Sequence, residues 1–92
     1  MTYIIKKYLL EDSEEHVSAH LGTMFVSARV IRGQAWLYYM ENVDSTQAVV
    51  FHVKMLAEEE LVPEGFYYID SVELRPGLLF HVFIKGGKYA KE

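Results

Sequence analysis

The sequence predicts an all-β domain, about seven mostly antiparallel strands in a small sandwich or partly open barrel. Three observations carry this. Apolar and polar residues alternate with a period of two along much of the chain, and no segment shows a sustained period of 3.6. Seven Tyr, five Phe and one Trp are present, and aromatic residues suit half-buried pleated surfaces. Turn chemistry recurs at short intervals, the spacing of strands joined by brief connections in an antiparallel meander.

Residues 3–10 read as the first strand, closed by the polar turn Glu11-Asp12-Ser13-Glu14. Residues 16–21 alternate, with Val17, Ala19 and Leu21 on one side and His16, Ser18 and His20 on the other. A single helical turn competes there, and the strand is preferred; Gly22 ends it. Residues 24–31 form a third strand, with Met24, Val26, Ala28 and Val30 assigned to one face and Ser27 and Arg29 to the other. Arg32-Gly33 then suits a tight hairpin, because glycine accepts positive φ at the second central position.

Residues 35–41 return as a fourth strand, followed by the turn residues Asn42-Val43-Asp44-Ser45. Residues 47–56 hold the β-branched run of the fifth. Residues 54–60 carry good helix formers and allow one short helical turn. An acidic loop through Glu58-Glu59-Glu60 and Pro63-Glu64-Gly65 leads to a strand at 66–75. Pro76-Gly77 turns the chain into the last strand, 78–85. The domain is expected to span 1–85, with 86–92 as a flexible tail after Gly86-Gly87. One internal echo exists: Phe51-His52-Val53 and Phe80-His81-Val82 repeat a tripeptide on two strands.

Composition narrows the function classes. Ninety-two residues make one domain with a shallow core. No cysteine is present, which removes disulfides and thiolate chemistry. A net charge of −4 weakens the case for nucleic acid, which needs a basic stripe. No signal-peptide pattern and no run of about 20 apolar residues is visible, so no membrane role is expected and the cytosol is the expected compartment.

Motifs for catalysis are missing. The serines lack a nucleophile-elbow context. Asp70 and Glu73 fall on opposite faces of a strand and make no acid–base pair. Gly86-Gly87-Lys88 lacks the spacing of a phosphate-binding loop. The four histidines, His16, His20, His52 and His81, invite a zinc reading, but no carboxylate stands at ligand spacing. Solvent-facing His16 and His20, with partly buried His52 and His81, is the preferred account. No cofactor and no enzymatic activity are expected.

The informative feature is an excess of apolar side chains. Residues 35–41 put Trp36, Tyr38 and Met40 on one face and Ala35, Leu37 and Tyr39 on the other. Residues 78–85 put Leu78, Phe80, Val82 and Ile84 on one face and Leu79, His81 and Phe83 on the other. A strand apolar on both faces is covered on both faces, by its own chain or by another. Trp, Tyr and Met are also enriched at binding hot spots. Trp36, Tyr38, Met40, His81 and Phe83 are therefore the candidate binding residues.

Several stretches resemble, in order, a family of short phage-encoded domains of unknown function. These are Ile4-Ile5-Lys6-Lys7-Tyr8-Leu9-Leu10, residues 16–21 with Gly22, and residues 25–32 leading to Gly33 and Trp36. The closing hairpin matches best: Tyr67-Tyr68-Ile69-Asp70-Ser71-Val72, Gly77, then Leu79-Phe80-His81-Val82-Phe83. The resemblance spans residues 3–85. The sequence departs from it at Lys54-Met55-Leu56-Ala57-Glu58, where family members often carry Thr-Gly-His. The resemblance implies a phage origin and action in the infected host cytoplasm, and it brings no catalytic residues.

The leading expectation is a phage accessory protein that binds a macromolecule through the Trp36, Tyr38 and Met40 surface, as an inhibitor of a host enzyme or defence complex. The overall acidity points to a partner with a basic working surface. The alternatives are a self-associating virion or assembly component, and a small-ligand barrel binding a nucleotide, or a metal through His52 and His81.

Overall fold

The computed structural model describes residues 1–89, with side chains described through Gly86. The described residues hold seven strands: β1 (Tyr3–Leu10), β2 (Glu14–His20), β3 (Met24–Ile31), β4 (Gln34–Asn42), β5 (Ala48–Leu56), β6 (Tyr67–Arg75) and β7 (Leu78–Tyr89). All ladders are antiparallel. Sheet A has the order β1-β4-β3 and sheet B the order β2-β5-β7-β6. Among the described residues no ladder joins the two sheets, so the fold is a small sandwich and not a closed barrel. Its shortest extent is 18 Å, enough for two layers about 10 Å apart with their outer side chains and no third layer.

The local signals explain the strands. Arg32 and Gly33 have φ of 53° and 77°, and Ile31 pairs with Gln34. Positive φ at both central residues of a two-residue loop is the type I′ turn, whose twist matches that of paired strands. Residues 16–21 are strand through His20. Residues 54–60 are not helical: Lys54 to Leu56 finish β5, and Ala57-Glu58-Glu59-Glu60 forms a turn. Glu60 N–H donates to the Ala57 carbonyl at 3.3 Å, and the Glu60 carboxylate accepts from Ala57 N–H at 2.6 Å. Glu59 lies at φ 71°, which no helical turn admits. Pairing with β2 and β7 outweighs the helical propensity of this segment.

Connectivity departs from a meander. The β3–β4 and β6–β7 connections are hairpins, but β1–β2, β2–β3 and β4–β5 each cross between sheets, and β7 inserts between β5 and β6. β7 also runs beyond residue 85 to Tyr89, because β5 reaches back to Ala48 and offers it a ladder. Phe51 pairs with Gly86 and Val49 with Tyr89, around a register shift. The strand thus takes in part of the expected tail, 86–92; residues 90–92 lie outside the described residues.

The core lies between the sheets. Ala28, Ala35, Leu37 and Tyr39 from sheet A meet Val17, Val53, Met55, Val72, Val82 and Ile84 from sheet B. Leu37 and Val82 are 0% exposed. Two polar clasps hold the layers together. At one edge, β3 packs against β6; the Asp70 carboxylate accepts from Ala28 N–H at 3.0 Å and from Ser71 N–H at 2.8 Å. At the other, Glu41 accepts from Lys6 Nζ at 2.8 Å and from His20 N–H at 3.2 Å. Beside Glu41, the Asn42 side chain donates to the Leu21 carbonyl at 3.1 Å. Its amide nitrogen would stand 2.9 Å from a Cβ at residue 22, whose φ is 89°. Gly22 is required there on both counts.

Candidate functional site

β4 is the centre of sheet A, and alternation divides it cleanly. Ala35, Leu37, Tyr39 and Glu41 point inward and are buried; Trp36, Tyr38 and Met40 point outward and are half-buried. On β1 the register sets Ile5 beside Met40, Lys7 beside Tyr38 and Leu9 beside Trp36. On β3 it sets Met24 beside Met40, Ser27 beside Tyr38 and Arg29 beside Trp36. Among the described residues, no layer covers this face from outside. Ile5 is 72% exposed, Val26 52% and Met24 44%.

A bulge shapes the face. The β3 ladder shifts between Phe25 and Ser27, leaving Val26 as the extra residue. This corrects the assignment of Met24, Val26, Ala28 and Val30 to one side. Met24 sits in register with the outward Met40, whereas Ala28 and Val30 sit in register with the inward Leu37 and Ala35. One extra residue reverses the side-chain parity of everything after it. The bulge opens a depression of about 300 Å³, lined by Ile5, Val26, Ser27, Arg29, Tyr38, Tyr39 and Met40.

Two cations lie on the face. Lys7 Nζ stands 4.5 Å from the centre of the Trp36 ring, and the Arg29 guanidinium 5.8 Å from that of Tyr38. At exposed sites such contacts contribute about 0.5–1 kcal/mol each. Neither cation takes part in a salt bridge among the described residues, where the pairs are Lys6–Glu41 and Lys54–Glu14. No Asp or Glu occupies a register position between Ile5 and Leu9 on β1, Met24 and Ile31 on β3, or Trp36 and Met40 on β4.

His81 and Phe83 lie elsewhere. They point outward from β7 in sheet B, on the opposite side of the sandwich, so the five candidate residues divide between two faces. Tyr68 ties this second group together: its hydroxyl is 3.2 Å from His81 Nδ1, and its ring meets Phe83 edge-on at 5.4 Å. The loop after β5 leans over them and forms an open recess of about 430 Å³ that includes Glu58, Glu59 and Glu60.

On the same face, His16 and His52 are cross-strand neighbours with ring centres 4.5 Å apart. His20 is held by the Asn42 carbonyl at 3.0 Å. No three His, Asp or Glu side chains converge as a metal site among the described residues. Asp70 and Glu73 do lie on opposite faces, in register with the inward Val82 and the outward Leu79.

Ionisation is shifted at the Lys6–Glu41 clasp and at Glu15. The hydrogen bond from Lys6 holds the Glu41 carboxyl below its ordinary value, against the desolvation of burial and with help from His20 N–H. The same bond raises Lys6. Burial pushes Glu15 up, but the N–H groups of Glu11 and Asp12 and the Tyr8 hydroxyl together hold it low.

Sequence reasoning grouped Trp36, Tyr38 and Met40 as candidates but did not place Ile5, Lys7, Met24, Val26 and Arg29 beside them. Strand parity could have grouped Ile5 with Lys7; nothing in the sequence signals their pairing with β4. The fold class is thus an all-β two-sheet sandwich with an uncovered aromatic face on sheet A. No protein-family model, curated protein or solved structure matches the chain.

Proposed function

We propose that this domain is a recognition module that binds a macromolecular partner through the outer face of sheet A. The observation that carries the reading is the uncovered Trp36, Tyr38 and Met40 stripe, widened by Ile5, Met24 and Val26. Three strands about 4.8 Å apart and eight residues long give a footprint of roughly 14 by 26 Å. The apolar part of that face, around Lys7, Ser27 and Arg29, approaches the size of the largest patches monomeric proteins expose, and such patches are often functional. The resemblance to short phage-encoded domains is the ground for seeking the partner in an infected bacterial cell, with inhibition of a host enzyme or defence complex as the outcome.

Self-association is the second reading. β1 is an edge strand with Ile4 and Ile5 exposed. Lys6 and Lys7 sit in the middle of that edge, however, and charges so placed oppose edge-to-edge pairing.

The test compares wild type with a Trp36→Ala/Tyr38→Ala variant whose β circular-dichroism spectrum is intact. Immobilised wild type is expected to retain bacterial proteins that the variant does not. Identical retained sets would remove the proposal. A wild type that is dimeric by light scattering, with the variant monomeric, would put self-association in its place.

A further inference from the structure

We propose that the partner presents an acidic segment, with an aromatic or aliphatic side chain seated in the depression beside Val26 and a carboxylate on Arg29. This rests on the preceding assignment of the outer face of sheet A as the binding surface, and it specifies the chemistry of what binds there.

The charge of the face is opposite in sign to that of the molecule. The chain carries −4 overall, yet this face, between Ile5 and Leu9 on β1, Met24 and Ile31 on β3 and Trp36 and Met40 on β4, holds Lys7 and Arg29 and no carboxylate. Exposed charges beyond about 8–10 Å are largely screened at physiological salt, so the local sign governs docking. Both cations lie over aromatic rings and outside any salt bridge among the described residues. An arriving carboxylate meets a donor already held in place and displaces no existing partner. Arginine over Tyr38 also retains its planar fork of donors for a bidentate contact.

The shape of the face selects the size of the occupant. The bulge at Val26 makes a depression of about 300 Å³ with Arg29 and Ser27 among its lining residues and Ile5 and Met40 as apolar walls. That volume is at the small end of ligand sites and suits one large side chain. The whole face is roughly half the ~800 Å² per partner of a standard protein interface. A peptide-length segment covers it; a second folded domain would overhang it.

Single-stranded nucleic acid is the competing polyanion, since aromatic rings with nearby cations can stack bases. Ile5, Leu9, Met24, Val26 and Met40 argue against it. A row of aliphatic side chains matches an apolar peptide face and wastes its area against phosphates. A second copy of this chain is disfavoured too, because face-to-face pairing would enclose two Lys7 and two Arg29 in an interface whose register positions supply no carboxylate.

The experiment selects displayed random twelve-residue peptides on immobilised wild type, with counter-selection on an Ile5→Glu/Val26→Glu variant. Both positions are more than half exposed, and β content by circular dichroism confirms that the variant folds. Enriched peptides are expected to be acidic around one Trp, Phe or Leu. They should shift the fluorescence of Trp36, the single tryptophan, and lose at least about tenfold in affinity on Arg29→Glu.

Enriched peptides that are neutral or basic, or acidic but indifferent to Arg29→Glu, would overturn the inference while leaving the binding face in place. If no peptide distinguishes wild type from the double variant, the face assignment fails, and the inference with it. Salt-dependent quenching of Trp36 by a twenty-residue oligothymidylate, lost on Arg29→Glu, would overturn it in favour of nucleic acid.

Discussion

Leu37 and Ile5 belong to the same sheet and have opposite surroundings. Leu37 is sealed between the layers, and Leu37→Ala leaves a cavity expected to cost about 2–5 kcal/mol. Ile5 faces outward, and Ile5→Ser is expected to change stability by no more than about 0.5 kcal/mol. Urea midpoints of the two variants check this; equal losses would mean that the inward and outward faces are misassigned.

Glu41 gives a pH-dependent prediction. Its folded carboxyl titrates below the ordinary value because of Lys6, so the unfolded chain binds more protons in that window and stability rises with pH there. The stabilisation is present above roughly pH 4.3, the unfolded carboxylate value, and is lost as pH falls through the lower folded value. Glu15 contributes in the same direction. Glu41→Gln is expected to lower the urea midpoint near neutral pH and to flatten its decline on acidification. A variant as acid-sensitive as wild type would contradict the assignment.

At the scale of elements, the hairpins and the edge clasp can be tested separately. Arg32 holds a left-handed conformation that costs a side-chain-bearing residue about 1–2 kcal/mol, less for Asn. Arg32→Asn is therefore expected to stabilise the β3–β4 hairpin by about 0.5–1 kcal/mol, read as a rise in melting temperature.

Asp70 closes the β3–β6 edge through Ala28 N–H. Asp70→Ala leaves that buried donor without its acceptor, a loss of about 1–3 kcal/mol. Amide exchange should accelerate at Ala28 first while Leu37 stays protected. Equal acceleration at both would show that the clasp has no local role.

Elements were also where the sequence was most legible. The boundaries of β1 and β3 follow from largely apolar runs bounded by turns, and Arg32-Gly33 announces its hairpin by residue type. The bulge at Val26 was not legible, because an alternating run looks the same with or without an extra residue opposite a partner strand. The helical reading of residues 54–60 failed for a related reason. Met55 and Leu56 favour helix locally, and long-range pairing with β7 overrides that preference.

At the scale of the whole molecule, strand order was out of reach. Which strand lies beside which depends on contacts distant in sequence: β1 pairs with β4 and β2 with β5, and the short connections disguise three crossings between sheets. The site inherits that limit. Trp36, Tyr38 and Met40 could be grouped because they share one strand; Lys7 and Arg29 join them only through sheet order. His81 and Phe83 join the candidates in the sequence because their strand, too, is largely apolar on both faces, although the sandwich places its two sheets back to back.

The central claim is that the inner face of sheet A is sealed and its outer face bare. The methionines report on both sides, since Met24 and Met40 lie outside and Met55, at 8% exposure, lies in the core. Peroxide oxidation of dilute protein, followed residue by residue by mass spectrometry, should modify Met24 and Met40 several-fold faster than Met55. Met55 reacting as fast as Met24, or Met24 and Met40 both protected, would contradict it.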